Sequence, residues 1–291
     1  MCVLDVRDFD GRDPAVKFIA GSVADKDAAK AAVAGADAVI HLASSVVPKT
    51  SNDDPACDVS SNLIGTLNLL EASVGAGVTR IVFASSGGTV YGEPTVPIVD
   101  ESHRTEPISS YGIVKLALEK YIALYGREHD ITSVSLRISN LYGEGQRHDT
   151  GFGVIASFCH KAVAGETVDI WGDGTVSRDF IHVSDVVDAF VAALDHDGDS
   201  LVVNIGSGTS VSINTVLDTI ATITGREVPR RYLQGRAFDV RHICLDVGLA
   251  ARTLGWKPRI DLNEGLRRVL EWSQSTANRP SSRQIDSSTE T

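Results

Sequence analysis

No apolar run in this chain approaches the ~20 residues that span a bilayer, and no secretory leader opens it. A cytoplasmic protein with no membrane partner is the expectation. Basic residues are in deficit: 27 Lys and Arg stand against 38 Asp and Glu, for a net charge of −11. They form no cluster either, which argues against a nucleic-acid surface. Cysteine is scarce. Cys2, Cys57, Cys159 and Cys244 show no metal or redox spacing, so no metal site is expected and the thiols read as reduced, buried small residues. Internal repeats are lacking too. What remains, 43% hydrophobic and 22% charged residues in 291, is the composition of a globular protein.

What is present is a rhythm. Apolar runs of about four to six residues alternate with helical stretches of about ten or more. The runs lie at 2–5, 16–21, 37–43, 80–84, 133–140 and 202–206, with helices at 25–35 and 62–72 among them. Such alternation predicts an α/β fold with a doubly wound, Rossmann-like parallel sheet. Beyond residue 140 it loosens into a helix at 152–164, a short strand at 168–171 and helices at 186–194 and 263–273. The chain is therefore divided into a sheet domain (1–140) and a smaller lobe with returns to the sheet (141–273). A Ser-, Thr- and Gln-rich stretch (274–291) reads as a disordered tail.

The most informative stretch is 82–115. Its apolar strand runs into Ser85-Ser86-Gly87-Gly88-Thr89, placing hydroxyls and glycines at a strand's carboxyl end. Open α/β sheets bind their ligands there. After a loop bearing Pro94, Pro97 and Pro107, Ser109 and Ser110 are candidate helix caps. Tyr111 and Lys115, four apart, then share one helix face. An ammonium near a phenol lowers the phenol's pKa from about 10, which makes Tyr111 a candidate proton shuttle. On spacing alone, an amphipathic surface pair reads as well.

A strand ending in Ser-Ser, then Val90-Tyr91-Gly92, then Tyr111-Gly112-x-x-Lys115, resembles the extended short-chain dehydrogenase/reductases. Within them it is similar to the NAD-dependent epimerase/dehydratase family, from residue 3 to about 270. The resemblance implies an NAD-dependent nucleotide-sugar epimerase, acting at C4 of a UDP- or dTDP-hexose by transient oxidation, as a homodimer. Tyr111 and Lys115 would then be catalytic, with a hydroxyl from the 85–89 turn. The family's usual Ser/Thr place is Gly87 here, so Ser86 is the first choice and Thr89 the second. Asp5 would bind the adenosine ribose, and the backbone at Val23 the adenine. Leu42, Ala43, Asn62 and Ser85 would complete the cofactor site. Asn140, Arg178, Arg236 and Asp239 match family positions that hold the nucleotide-sugar. Blander readings stand beside these: Asp5 as a surface acid, Asn62 as a bridge between backbone groups, His41 as a satisfied core histidine. Sugar dehydratases and decarboxylases place an acid in the turn where Ser-Gly-Gly-Thr has none. A 4-keto reductase or dehydratase, or an inactive nucleotide-sugar-binding homologue, remains the alternative.

The resemblance is incomplete at one point. No G-x-G-x-x-G or G-x-x-G-x-x-G turn joins a strand to a helix. In the strand order 3-2-1-4-5-6 the strand carrying that turn is central. The sequence thus predicts a sheet lacking its first strand and helix, a natural start upstream of Met1, and weak NAD loading of the 291-residue form.

Overall fold

In residues 80–86, successive side chains point to opposite faces, as a strand requires. Ile81 and Phe83 join one apolar cluster and Val82 the other, all buried. This strand, β4 (Arg80–Ser86), pairs in parallel with β3 (Ala38–His41) and β5 (Thr132–Ile138); β9 (Leu201–Ile205) extends the sheet beyond β5. The structure, a computed structural model, describes residues 1–45, 51–149, 153–235 and 240–277. Two further strands, β1 (Cys2–Asp5) and β2 (Lys17–Ala20), form a separate parallel pair. Among the described residues no strand joins β1 to β3. The break falls where the sequence predicts the missing central strand.

Helices cover both faces of the four-stranded sheet, which is why its strands read as continuous apolar runs. On one face lie α1 (Lys26–Val33), α3 (Gly65–Ala76) and α4 (Ser110–His129), packing Val33, Leu70, Leu118 and Ile122 onto Ile81 and Phe83. On the other lie α6 (Val183–Leu194) and α8 (Gly248–Thr253), with Val186, Ala189 and Ala250 against Val82, Leu136 and Val203. Each fully buried side chain of this size stabilises the fold by about 1.5–3 kcal/mol. A short α2 (Pro55–Asp58) and a π-helical turn, Val59–Ile64, lead into α3.

The lobe has its own core. Helices α5 (Val154–Ala164), α7 (Ile213–Thr224) and α9 (Leu262–Ala277) enclose Tyr142, Phe158, Ile170, Leu217 and Leu266. They pack on β6 (Asn140–Tyr142), β8 (Ser177–His182) and β10 (Ser210–Ser212), and on the pair β7 (Val168–Trp171) and β11 (Arg230–Leu233). Two expectations change. The run 133–140 is not one strand: Gly87 donates to the Ile138 carbonyl and Ser139 to that of Ile205, and the chain leaves the sheet so that Asn140 opens β6. The tail expected from 274 is helical through Ala277. Ser273 and Thr276 donate their hydroxyls to the carbonyls of Val269 and Trp272 one turn back, so these polar groups are satisfied within the helix.

Candidate active site

The strands of the main sheet run parallel, so their carboxyl ends open along one edge. Leu42–Ser45, Ser85–Thr89, Asn140 and Gly206–Gly208 all lie there. The start of α4 descends onto that edge. Its first N–H groups, which have no partner within the helix, are met from outside. Asn52 Oδ1 accepts from Ser110 (2.8 Å), Ser51 Oγ from Tyr111 (3.1 Å), and the N-cap Ser109 Oγ from Gly112 (3.2 Å). A side chain at Gly112 would put its Cβ 3.0 Å from the Thr89 carbonyl oxygen and 2.8 Å from Pro107 Cβ. Glycine there lets the helix rest on the turn.

This contact brings three expected residues together. The Ser86 hydroxyl lies beside the Tyr111 phenol, close enough to favour its ionised form. Lys115, buried, donates from Nζ to the Ala84 carbonyl at 2.8 Å and lies over the Tyr111 ring, 5.5 Å from its centre. Gly87 explains why the hydroxyl sits one residue early. A Cβ at 87 would lie 2.8 Å from the Arg137 carbonyl oxygen and 2.5 Å from Leu245 Cδ1, so that position faces packed protein. Thr89 Oγ1 and Asn140 Oδ1 are buried at the same edge without hydrogen-bond partners among the described residues.

The electrostatics correct one expectation. Lys115 does not lower the Tyr111 pKa in this chain. Burial first, then the Asp58 carboxylate, pushes the phenol up to about 12, against the effect of the Ser86 hydroxyl. Lys115 itself is pushed down to about 8 by burial, with the Asp58 charge resisting. This shift has a consequence for stability. Between pH 8 and 10.5 the unfolded chain binds the Lys115 proton and the folded chain does not. Stability contributed by this group therefore rises with pH through that window, and burying the ammonium costs most below it. Urea unfolding of cofactor-free protein at several pH values checks this. The stability of the wild type relative to Lys115→Met is expected to climb from pH 8 to 10.5. A difference independent of pH would contradict it.

Other expected residues serve the structure more directly. His41 Nε2 lies 2.8 Å from Thr66 Oγ1, whose own proton goes to the Asn62 carbonyl, so the imidazole is the donor. Burial and the Lys115 charge push His41 down to about 3, and it is the core histidine of the blander reading. Asn62 is a bridge: Oδ1 accepts from Ser45 N (2.9 Å) and Nδ2 donates to Asp58 (2.8 Å). Ser85 is buried and its hydroxyl donates to Glu119, so its side chain does not face the edge. Val23 packs on Gly65, where an added Cβ would lie 3.0 Å from Val23 Cγ2. Leu42 and Ala43 are exposed just past β3. Asp5 is exposed at the end of β1, across the break, with Oδ1 accepting from Arg7 N. Arg178 is half-buried on β8, with Nη1 on the Ser177 carbonyl. Arg236 and Asp239 lie outside the described residues.

Two groups escaped the sequence reading. Beneath the turn, Glu119 receives Arg137 in two bonds (3.0 and 2.8 Å); Arg137 also donates to the Tyr91 hydroxyl, which donates to Asn204. This network joins α4, β5, β9 and the turn. Its only sequence signal is Glu119 one further step along the Tyr111–Lys115 face. The other is Asp58, fully buried at the end of α2.

The comparisons agree with this geometry. The model of the NAD dependent epimerase/dehydratase family matches residues 4–206. A UDP-glucose 4-epimerase of Mycolicibacterium smegmatis is 36% identical over 236 residues, covering 81% of this chain and 75% of that one. A solved UDP-glucose 4-epimerase with UDP-glucose from Thermotoga maritima superposes with a TM-score of 0.91 at 34% identity, over 95% of this chain and 91% of that one. A Thermus thermophilus UDP-glucose 4-epimerase in complex with NAD gives 0.87 at 31%, over 94% and 90%. The parallel sheet, the Ser86–Tyr111–Lys115 cluster at its carboxyl edge and the match over 4–206 lead to one assignment: the chain belongs to the NAD-dependent epimerase/dehydratase family.

Proposed function

We propose that this chain is an NAD-dependent epimerase that inverts C4 of a UDP-hexose, as a homodimer in the cytoplasm. The observation carrying this reading is the Ser86–Tyr111–Lys115 cluster at a turn that holds no carboxyl group. The relatives named as UDP-glucose 4-epimerases support it. The donor set suits a dinucleotide. An ammonium has three N–H groups, and buried Lys115 uses one on Ala84, leaving two for ribose hydroxyls. Asp5 keeps a carboxylate oxygen for the adenosine ribose beyond the one on Arg7 N.

Bound NAD would supply the hydride acceptor and donor at C4. Tyr111 takes the proton from the sugar 4-hydroxyl and later returns it. Ser86, beside the phenol, would bridge it to the sugar oxygen. Lys115 keeps its ammonium beside the phenolate form that Tyr111 must hold to accept that proton. Arg178 grips the diphosphate with its guanidinium fork. For self-association, Val59 and Ile64 on the π-helical turn and Ile113 and Tyr121 on neighbouring α4 are large exposed apolar residues, a pattern suited to an isologous contact. Sedimentation at a single-chain mass would remove the dimer from the reading.

A panel of UDP- and dTDP-hexoses, with NAD present, tests the activity. The expected product is the C4 epimer of a UDP-hexose, with no net NADH. Ser86→Ala is expected to lower kcat by about 10²-fold and Thr89→Val by less. Accumulation of a deoxy-keto sugar, or stoichiometric NADH formation with a keto sugar, would instead identify a dehydratase or a reductase run in reverse.

A further inference from the structure

Asp58 is fully buried and pairs with no Lys or Arg among the described residues. Its two carboxylate oxygens are divided between two elements. Oδ1 accepts from Asn62 Nδ2 at 2.8 Å, and Oδ2 accepts from Ser110 Oγ at 2.8 Å. Asn62 holds the loop after β3 through Ser45, and its amide orientation is fixed because its Oδ1 takes a backbone N–H. Ser110 is the first residue of α4 and the neighbour of Tyr111. The irregular helical turn between Asp58 and Gly65 carries Asn62, and π-helical insertions of this kind are frequent at functional sites. The carboxylate also lies at the N-terminal end of α4, where the helix dipole favours a negative charge.

We propose that Asp58 is a positioning residue for the reaction: through Ser110 and Asn62 it fixes the Tyr111–Lys115 helix against the loop after β3, and it sets a buried negative charge at that helix's first turn. Burial favours loss of a proton from Lys115, and Asp58 is the charge that resists; the same charge opposes ionisation of Tyr111. Few other groups compete. His41, on β3, is neutral across the working range, because burial and Lys115 hold it down to about 3. Glu119, one turn further along α4, is paired with Arg137. On the turn side the neighbour is Ser86, which is uncharged. Asp58 is thus the single carboxylate acting on both members of the pair among the described residues.

Asp58→Asn separates charge from geometry, since an amide can still accept from Asn62 and donate to Ser110. The titration arm does not depend on the epimerase reading. The Tyr111 phenolate is followed by ultraviolet absorbance against a Tyr111→Phe control, with and without D58N. Its pKa is expected to fall in D58N by about one unit, the tenfold change in proton affinity that 1.36 kcal/mol represents. An unmoved Tyr111 pKa overturns the electrostatic role, whatever the substrate proves to be. The kinetic arm rests on the proposed function. Both limbs of the kcat–pH profile are expected to slide to lower pH in D58N, because removing the Asp58 charge lowers the pKa of Tyr111 and of Lys115 alike. A merely structural Asp58 would lower kcat without moving the limbs. If D58N does not accumulate as folded protein, Ser110→Ala tests the tether with the charge kept. It is expected to lower kcat about tenfold with unmoved limbs, and an unchanged kcat overturns the tether.

Discussion

Tyr111→Phe is expected to lower kcat by about 10²–10⁴-fold, the range a positioned proton donor supplies, while KM for the nucleotide-sugar stays near the wild-type value. The substitution removes one oxygen. The ring remains beneath the Lys115 ammonium and against the start of α4, so neither packing nor the diphosphate contacts are touched. What goes is the phenol hydroxyl beside Ser86, the group proposed to exchange a proton with the substrate. Losses confined to kcat mark an interaction realised in the transition state. Steady-state kinetics of the folded variant decide the matter. A variant that keeps the wild-type rate would place the shuttle elsewhere, and one that raises KM alone would make Tyr111 a binding residue.

The largest effect on stability is expected at Arg137. Its guanidinium and the Glu119 carboxylate are 4% and 2% exposed and share two hydrogen bonds. Arg137→Met leaves the Glu119 charge buried with only the Ser85 hydroxyl beside it. Breaking a buried pair from one side costs about 3–5 kcal/mol, a large part of a typical total of about 5–15 kcal/mol. Removing both charges, in Arg137→Met with Glu119→Leu, is expected to recover much of that loss, because the unpaired carboxylate and not the missing attraction is what destabilises. Urea midpoints at constant slope measure both. A single variant within 1 kcal/mol of wild type would show the carboxylate to be solvated.

Sequence patterns carried the sheet well and the site in part. The runs at 80–84 and 202–206 are strands because both faces of that sheet are covered, which leaves them apolar throughout. Tyr111 and Lys115 were legible because helical spacing is local. Their charge environment was not. It depends on Asp58, more than fifty residues away along the chain, and on the burial that raises the phenol's pKa. The hydroxyl of the turn fell between the two: Gly87 marked an anomaly in sequence, but only the Arg137 carbonyl packed against it explains why Ser86 serves. Glu119, Arg137, Tyr91 and Asn204 were invisible as a group because four separate elements contribute one residue each.

The strand pair β1–β2 and the four-stranded sheet carry separate backbone ladders. The four-stranded sheet is one continuous ladder, and among the described residues no strand pairing passes from β1 and β2 into it. That strand pair and α1 are held by Ala29 and Val33 packing on α3, and by single contacts such as Asn68 on the Ala24 carbonyl. A two-stranded sheet is marginal in water by itself, so this unit sits at the low end of the local-opening scale, where amide protons exchange without global unfolding. Asp5 travels with it, whereas Ser86, Tyr111 and Lys115 belong to the four-stranded sheet and its helix α4. Opening of the β1–β2 pair on warming would displace Asp5 before it disturbs the Tyr111–Lys115 helix.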